Sequence, residues 1–213
     1  MLHPVPLSKS RLEALTDGIF AVSMTLLVLD LKFPEHSLDN PNGIWRMLLQ
    51  IGDKLDDYII SFIVLCLFWI GHTRLMQRAK EVDAGFLWLN LVFLLFTTFV
   101  PPLTTFVGDN PTQPRAAILY GVNLALILVF EQAMWRRCLL HLANESVIDA
   151  RTAWRTARQR YLIAICVGLL GIAAALIEID LGRTSGLGHY IYLLLIGAGI
   201  VRPMPRTHHP ANA

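Results

Sequence analysis

The chain is poor in charge and in reactive side chains. Only 16% of its 213 residues are Asp, Glu, Lys or Arg, where a soluble domain carries about 25%, and long blocks hold almost none. That excludes a soluble enzyme and a disordered chain, both of which need a charged, solvated surface. Formal net charge is +2, so despite a pI near 8.5 there is no basic field to attract nucleic acid. Cysteine is scarce too. Cys66, Cys138 and Cys166 include no C-x-x-C pair, which leaves neither a zinc site nor a disulfide framework and reads as buried structural thiols. No H-E-x-x-H pair, G-x-S-x-G elbow or phosphate-cradling glycine loop occurs. The sequence therefore points away from an enzyme, a bound metal and a cofactor.

What it has in excess is apolar surface: 54% hydrophobic residues and a mean hydropathy of +0.52. Crossing a bilayer takes about 20 mostly apolar residues, and six blocks approach that, at approximately 12–31, 58–76, 86–107, 116–135, 161–179 and 187–201. The expected fold is an all-α membrane protein, one transmembrane domain over residues 1–213 with six helices per subunit. The first and last blocks are short, which predicts tilting or burial within an oligomer.

Orientation follows from the basic residues. Lys9 and Arg11, the Arg74–Lys80 connection, the six arginines between Arg136 and Arg160, and Arg202 and Arg206 all fall on one side. Lys32, Arg46, Lys54, Arg115 and Arg183 fall on the other. Both termini are thus expected in the cytoplasm, with the protein in the cell (plasma) membrane. A basic stretch precedes the first span, but Leu31-Lys32-Phe33-Pro34 offers no small-residue cleavage site, so an uncleaved span is expected.

Two connections carry pattern. After the turn signal Asp39–Gly43, Ile44, Trp45, Leu48, Leu49, Ile51 and Leu55 follow a helical period, which predicts an interfacial helix on the outer surface. The stretch from Arg136 to Arg160 is basic and helical in pattern, and reads as a cytoplasmic extension of spans four and five.

Ionisable groups inside spans are the default functional candidates because burying them is costly. They are Asp17, Asp30, His72, Glu131 and Glu178; the two glutamates lie near span ends and read as interfacial. On a helical wheel, Leu15, Gly18, Val22, Leu26 and Leu29 form one stripe of the first span with Thr25 on its edge, while Asp17 lies about 140° from Val22. Such a stripe either packs against lipid and neighbouring helices or, repeated around a symmetric oligomer, stacks apolar rings that control ions by dewetting. Thr16 and Asp17 also suit an N-terminal cap.

The run Arg11-Leu-Glu-Ala-Leu-Thr-Asp17, followed by an apolar stretch ending Leu27-Val-Leu-Asp30, resembles the first helix of the transmembrane protein 175 family of potassium channels. That family carries R-x-x-x-F-S-D here, and this chain has Leu15 and Thr16 at the Phe and Ser positions. Trp69-Ile-Gly-His72 resembles the family's W-x-x-H element, and Leu87-Trp88-Leu-Asn90-Leu with Pro101 its third helix. The likeness covers the first half of the chain; beyond Val107 it rests on span count.

The resemblance implies a homotetramer whose first helices line a central, potassium-permeable pore without the TVGYG filter, a string absent from this sequence. It places the narrowest ring at Val22, further apolar layers at Leu26 and Leu29, and a hydroxyl layer at Thr25. It also implies a polar network of Arg11, Asp17, His72, Trp88 and Asn90 behind the pore helix. Asp30 falls at the external mouth, where four carboxylates would raise the local cation concentration. With so few ligands, potassium over sodium selectivity is expected to be modest. The alternatives are a secondary transporter, against which stand the lack of an internal repeat and of a mid-membrane helix break, and a small membrane assembly protein.

Overall fold

A computed structural model describes residues 8–31, 43–79, 82–110 and 113–144, together with scattered helical positions between 151 and 177. All but scattered positions of the fifth expected span, the sixth span, Glu178, the tail and the side chain of Asp30 lie outside the described residues. The described part is helical throughout, with four stretches long and apolar enough to cross a membrane: Lys9–Leu29, Lys54–Arg78, Ala84–Asp109 and Arg115–Asn144. These coincide with the first four spans read from hydropathy.

Helix α1 (Lys9–Leu26) starts at Ser8, whose Oγ accepts from the backbone N–H of Arg11 at 3.4 Å, a standard N-cap role. Thr16 and Asp17 are therefore in mid-helix and cap nothing. A 3-10 turn, Leu27–Asp30, closes the span. One face of α1 enters the core through Leu12, Phe20 and Leu27, with Phe20 against Phe93 of α3 at 5.9 Å between ring centroids.

Helix α2 runs unbroken from Gly43 to Arg78 for 36 residues. This corrects the expectation of a separate interfacial helix around residues 44–55: the same backbone continues straight into the second span. The period seen in the sequence was that of the span's own N-terminal extension, and nothing between Gly43 and Tyr58 interrupts the hydrogen-bond ladder as a proline would.

The third span is two helices, α3 (Ala84–Thr98) and α4 (Val100–Asp109), meeting at Phe99. Pro101 and Pro102 have no N–H to give to the preceding turn, so the ladder must break there. The prolines leave the carbonyls of Thr97 and Thr98 without their usual donors, and the turn just before them is held by other bonds. The N–H of Phe99 and the side-chain amide of Asn123 both donate to the Phe96 carbonyl, at 3.2 and 3.1 Å. The break at the Pro101-Pro102 pair divides the span into two helices within its length, and α5 pins it.

Helix α5 (Pro114–Asn144) extends past the apolar block as its basic continuation predicts, and Arg136 stacks on the Trp154 ring, 5.3 Å from its centroid. Glu131 is 1% exposed, so its side chain sits inside the helix packing. Its place one turn before Trp135 and beside Gln132, both buried, puts it on the inward face of a helix whose polar end begins only at Arg136. On the far side, Thr104 donates to Ser61 at 2.8 Å and Ser61 shares a 3.1 Å hydrogen bond with Tyr120, tying α4, α2 and α5 together.

Truncation of Phe20 to Ala should destabilise the protomer by about 3–5 kcal/mol, whereas Val22→Ala, two residues along the same helix, should change it by less than about 0.5 kcal/mol. Unfolding of the detergent-solubilised protein reads both; comparable losses would contradict the facing assigned to α1.

Candidate functional site

The first helix has two unlike sides. Thr16, Phe20 and Ser23 are each 1% exposed, whereas Val22 is 56% and Leu29 69% exposed. Leu15 and Leu26 are exposed with them, which reproduces the stripe drawn on the helical wheel. No other part of the described protomer covers this face. A shallow apolar groove of about 370 Å³ runs along it, lined by Leu15, Gly18, Val22 and Leu26, with Thr98 of α3 at its edge. Thr25 is exposed on the same side and its hydroxyl donates to the Val22 carbonyl at 2.9 Å. With the proton committed to the helix, the oxygen's remaining lone pair is what Thr25 presents outward.

Behind α1 lies a polar cluster. The amide of Asn90 on α3 donates from Nδ2 to Thr16 Oγ1 at 3.2 Å, and its Oδ1 accepts from His72 Nε2 at 2.6 Å. All three residues are buried, and the imidazole stacks on Phe93 at 5.3 Å between ring centroids. Nearer the surface, Trp69 Nε1 donates to Asp17 Oδ1 at 2.8 Å. Two separate links therefore join α1 to its neighbours, one through α3 and one through α2.

Of the five residues expected in this network, His72 and Asn90 meet directly, and Asp17, the residue next to Thr16, is engaged separately by Trp69. Arg11 lies in the first turn, exposed, and reaches none of them. Trp88 is 65% exposed and takes no part. The reason is geometric: Trp88 and Asn90 are two residues apart on α3, about 200° around the helix, so both cannot face α1. The indole that holds Asp17 is that of Trp69, three residues before His72 and hence on its face of α2. That spacing was the available signal for Trp69; nothing in the sequence marked Thr16 as the acceptor for Asn90.

Comparison with known proteins gives a consistent set. The model of a family described as the endosomal/lysosomal potassium channel TMEM175 matches residues 11–101. A potassium channel of Streptomyces collinus is 30% identical over 176 residues, covering 78% of this chain and 84% of that protein. A potassium channel of Chamaesiphon minutus is 29% identical over 173 residues, covering 76% and 85%. The human endosomal/lysosomal proton channel TMEM175 is 26% identical over 242 residues; the match takes in 98% of this chain but 46% of the human protein. Among solved structures, the crystal structure of a lysosomal potassium-selective channel TMEM175 homolog from Chamaesiphon minutus superposes with a TM-score of 0.67 at 25% identity, over 88% of this chain and 97% of that one.

The cluster behind α1 orders three substitutions by cost. Asn90→Leu leaves Thr16 and His72 buried without their partner and should destabilise by about 1–3 kcal/mol per orphaned group. Trp69→Phe removes one donor from a partly exposed carboxylate and should cost about 1–2 kcal/mol. Trp88→Phe should stay within about 0.5 kcal/mol. Unfolding midpoints in detergent give the ranking, and an equal loss from the two tryptophan variants would contradict it.

Proposed function

The chain belongs to the TMEM175 family, a family of multi-pass membrane channels, and from that premise we propose that it is a potassium-permeable cation leak channel. It assembles as a homotetramer with six spans per subunit and both termini in the cytoplasm, residues 1–213 forming one channel domain in the plasma membrane. The four α1 helices stand around the axis. Val22 forms the narrowest ring, Leu26 and Leu29 the apolar layers next to it, Thr25 a ring of hydroxyl oxygens, and Asp30 the external mouth. Asp17, His72 and Asn90 belong to the structure supporting the pore helix, with Trp69 taking the place expected of Trp88; Arg11, exposed in the first turn, stands apart from it.

One observation carries this reading: the apolar stripe of α1 is left uncovered while the opposite face of the same helix is the most completely buried part of it. A water-filled passage bounded by such side chains empties when narrow and conducts when wide or wetted, a gate that needs no ion-binding filter. No acidic side chain lies on the stripe itself. Preference for cations then rests on the mouth carboxylates and on the outward lone pairs of Thr25, which supports modest discrimination between potassium and sodium.

The potassium assignment follows the bacterial relatives, which carry that name and are matched over most of their length; the vertebrate relatives, matched over less than half of theirs, are named proton channels. A secondary transporter draws support from the break at Phe99, a feature of transporter binding sites. Here, however, Asn123 of α5 packs against the break and donates to the Phe96 carbonyl in the turn before it, so a helix side chain occupies the place beside the break.

Reconstituted in liposomes, the wild-type protein should pass potassium without saturating, and a pH gradient alone should drive far less flux. Val22→Asn wets the narrowest ring and should raise flux sharply; a barrier lowered by only about 1.4 kcal/mol gives a tenfold change. Val22→Ile should lower flux. No change in either variant removes the pore from α1, and saturable flux in the wild type favours the transporter. Asp30→Asn should reduce conductance at about 10 mM salt, where charges act over about 30 Å, and much less at about 150 mM, where they act over about 8 Å.

A further inference from the structure

Where the second candidate span ends at Arg78 and the third begins at Ala84, helices α2, α3 and α5 leave a cavity of about 130 Å³ between them. Its walls include Arg78 and Ala79 at the end of α2, Asp83 and Phe86 at the start of α3, and Arg137 and His141 on α5. Two guanidiniums and an imidazole face one carboxylate, and that carboxylate is already engaged. Asp83 Oδ1 caps α3 by accepting from the N–H of Phe86 at 2.8 Å, and its Oδ2 accepts from Arg137 Nη2 at 2.7 Å. Among the described residues no carboxylate pairs with Arg78.

The Arg137 guanidinium lies against Gly85, where an added Cβ would collide with it, so the missing side chain there leaves room for the fork beside Asp83 in a half-exposed pair. A cavity at the ends of two spans lies at the depth of lipid headgroups, where basic pockets between helices take up anionic head groups. Its volume is well under the roughly 300 Å³ of the smallest ordinary ligand pockets, which admits only a compact group. A phosphate is compact, multiply charged and rich in acceptor oxygens, and guanidinium forks match its geometry.

We propose that this cavity binds a phosphate group, with Arg78 and Arg137 donating to its oxygens and Asp83 holding Arg137 in register. The site is separate from the α1 stripe and does not depend on conduction. Its phosphate comes either from the headgroup of an anionic lipid or from free phosphate in solution.

The test uses the full chain in detergent, titrated in parallel with short-chain phosphatidic acid, phosphatidylcholine of the same chains and inorganic phosphate. Binding is read as a shift of the unfolding midpoint and as bound mass in native mass spectrometry. Phosphatidic acid should bind and phosphatidylcholine should not. Arg78→Gln should weaken binding about tenfold, the scale of one charge-assisted hydrogen bond, and Arg78→Lys should recover part of it. Ala79→Leu, which fills the cavity and leaves every charge in place, should abolish binding even if Arg78→Gln fails to fold. Binding of inorganic phosphate alone, weakened by the same variants, assigns the site to the soluble ion and upholds it. Equal binding of the two lipids with no binding of inorganic phosphate, or wild-type affinity in Ala79→Leu, overturns it.

Discussion

The rotation of the first helix depends on the side-chain amide of Asn90. Inside a bilayer, apolar side chains gain nothing by choosing a neighbouring helix over a lipid tail, so packing alone leaves a helix free to turn about its axis; polar links between helices remove that freedom. Asn90 spends one hydrogen bond on Thr16 of α1 and another on His72 of α2, fixing three helices to one another at one point. Trp69 and Asp17 add a second point of attachment close by on α1. With two anchors on one side, the positions opposite them are decided: Leu15, Val22, Leu26 and Leu29 must look outward.

The sequence carried this arrangement in part. Hydropathy located the first four spans because long uncharged blocks have no other stable placement, and a period of 3.6 residues separated the two sides of α1. The same logic applied to Trp88 and Asn90 shows that they diverge around α3, so a motif that names both residues does not place both in one cluster. The stretch before Tyr58 could be read either as a helix lying on the membrane or as the start of the crossing helix. Amphipathic period is the same for both, and only the continuity of the backbone at Ile51–Asp57 separates them. Glu131 lay beside the arginines in the sequence, yet its neighbours on the helix face turn it inward.

The break at Phe99 illustrates a different gap. Two adjacent prolines announce that a ladder is interrupted, but not whether the carbonyls set free will serve a ligand or a neighbour. That depends on what stands opposite, and Asn123 arrives from a span more than twenty residues further along. Threonine hydroxyls bonded back to the preceding turn, such as Thr97 to Phe93 and Thr105 to Pro101, add to the local satisfaction. The outcome is a span that changes direction without opening a polar hole in the bilayer.

The uncovered stripe of α1 also bears on how subunits come together. A lone protomer in the bilayer shows Val22, Leu26 and Leu29 to acyl chains, a solvent in which they are already at ease. In the proposed tetramer those side chains lose that solvent and face a passage. Filling it with water would expose apolar area at a cost of about 25 cal/mol per Å², whereas an empty passage incurs little of that cost. In that arrangement the resting flux is set by how often the axis wets, and the cost of wetting arises only after the four chains have met.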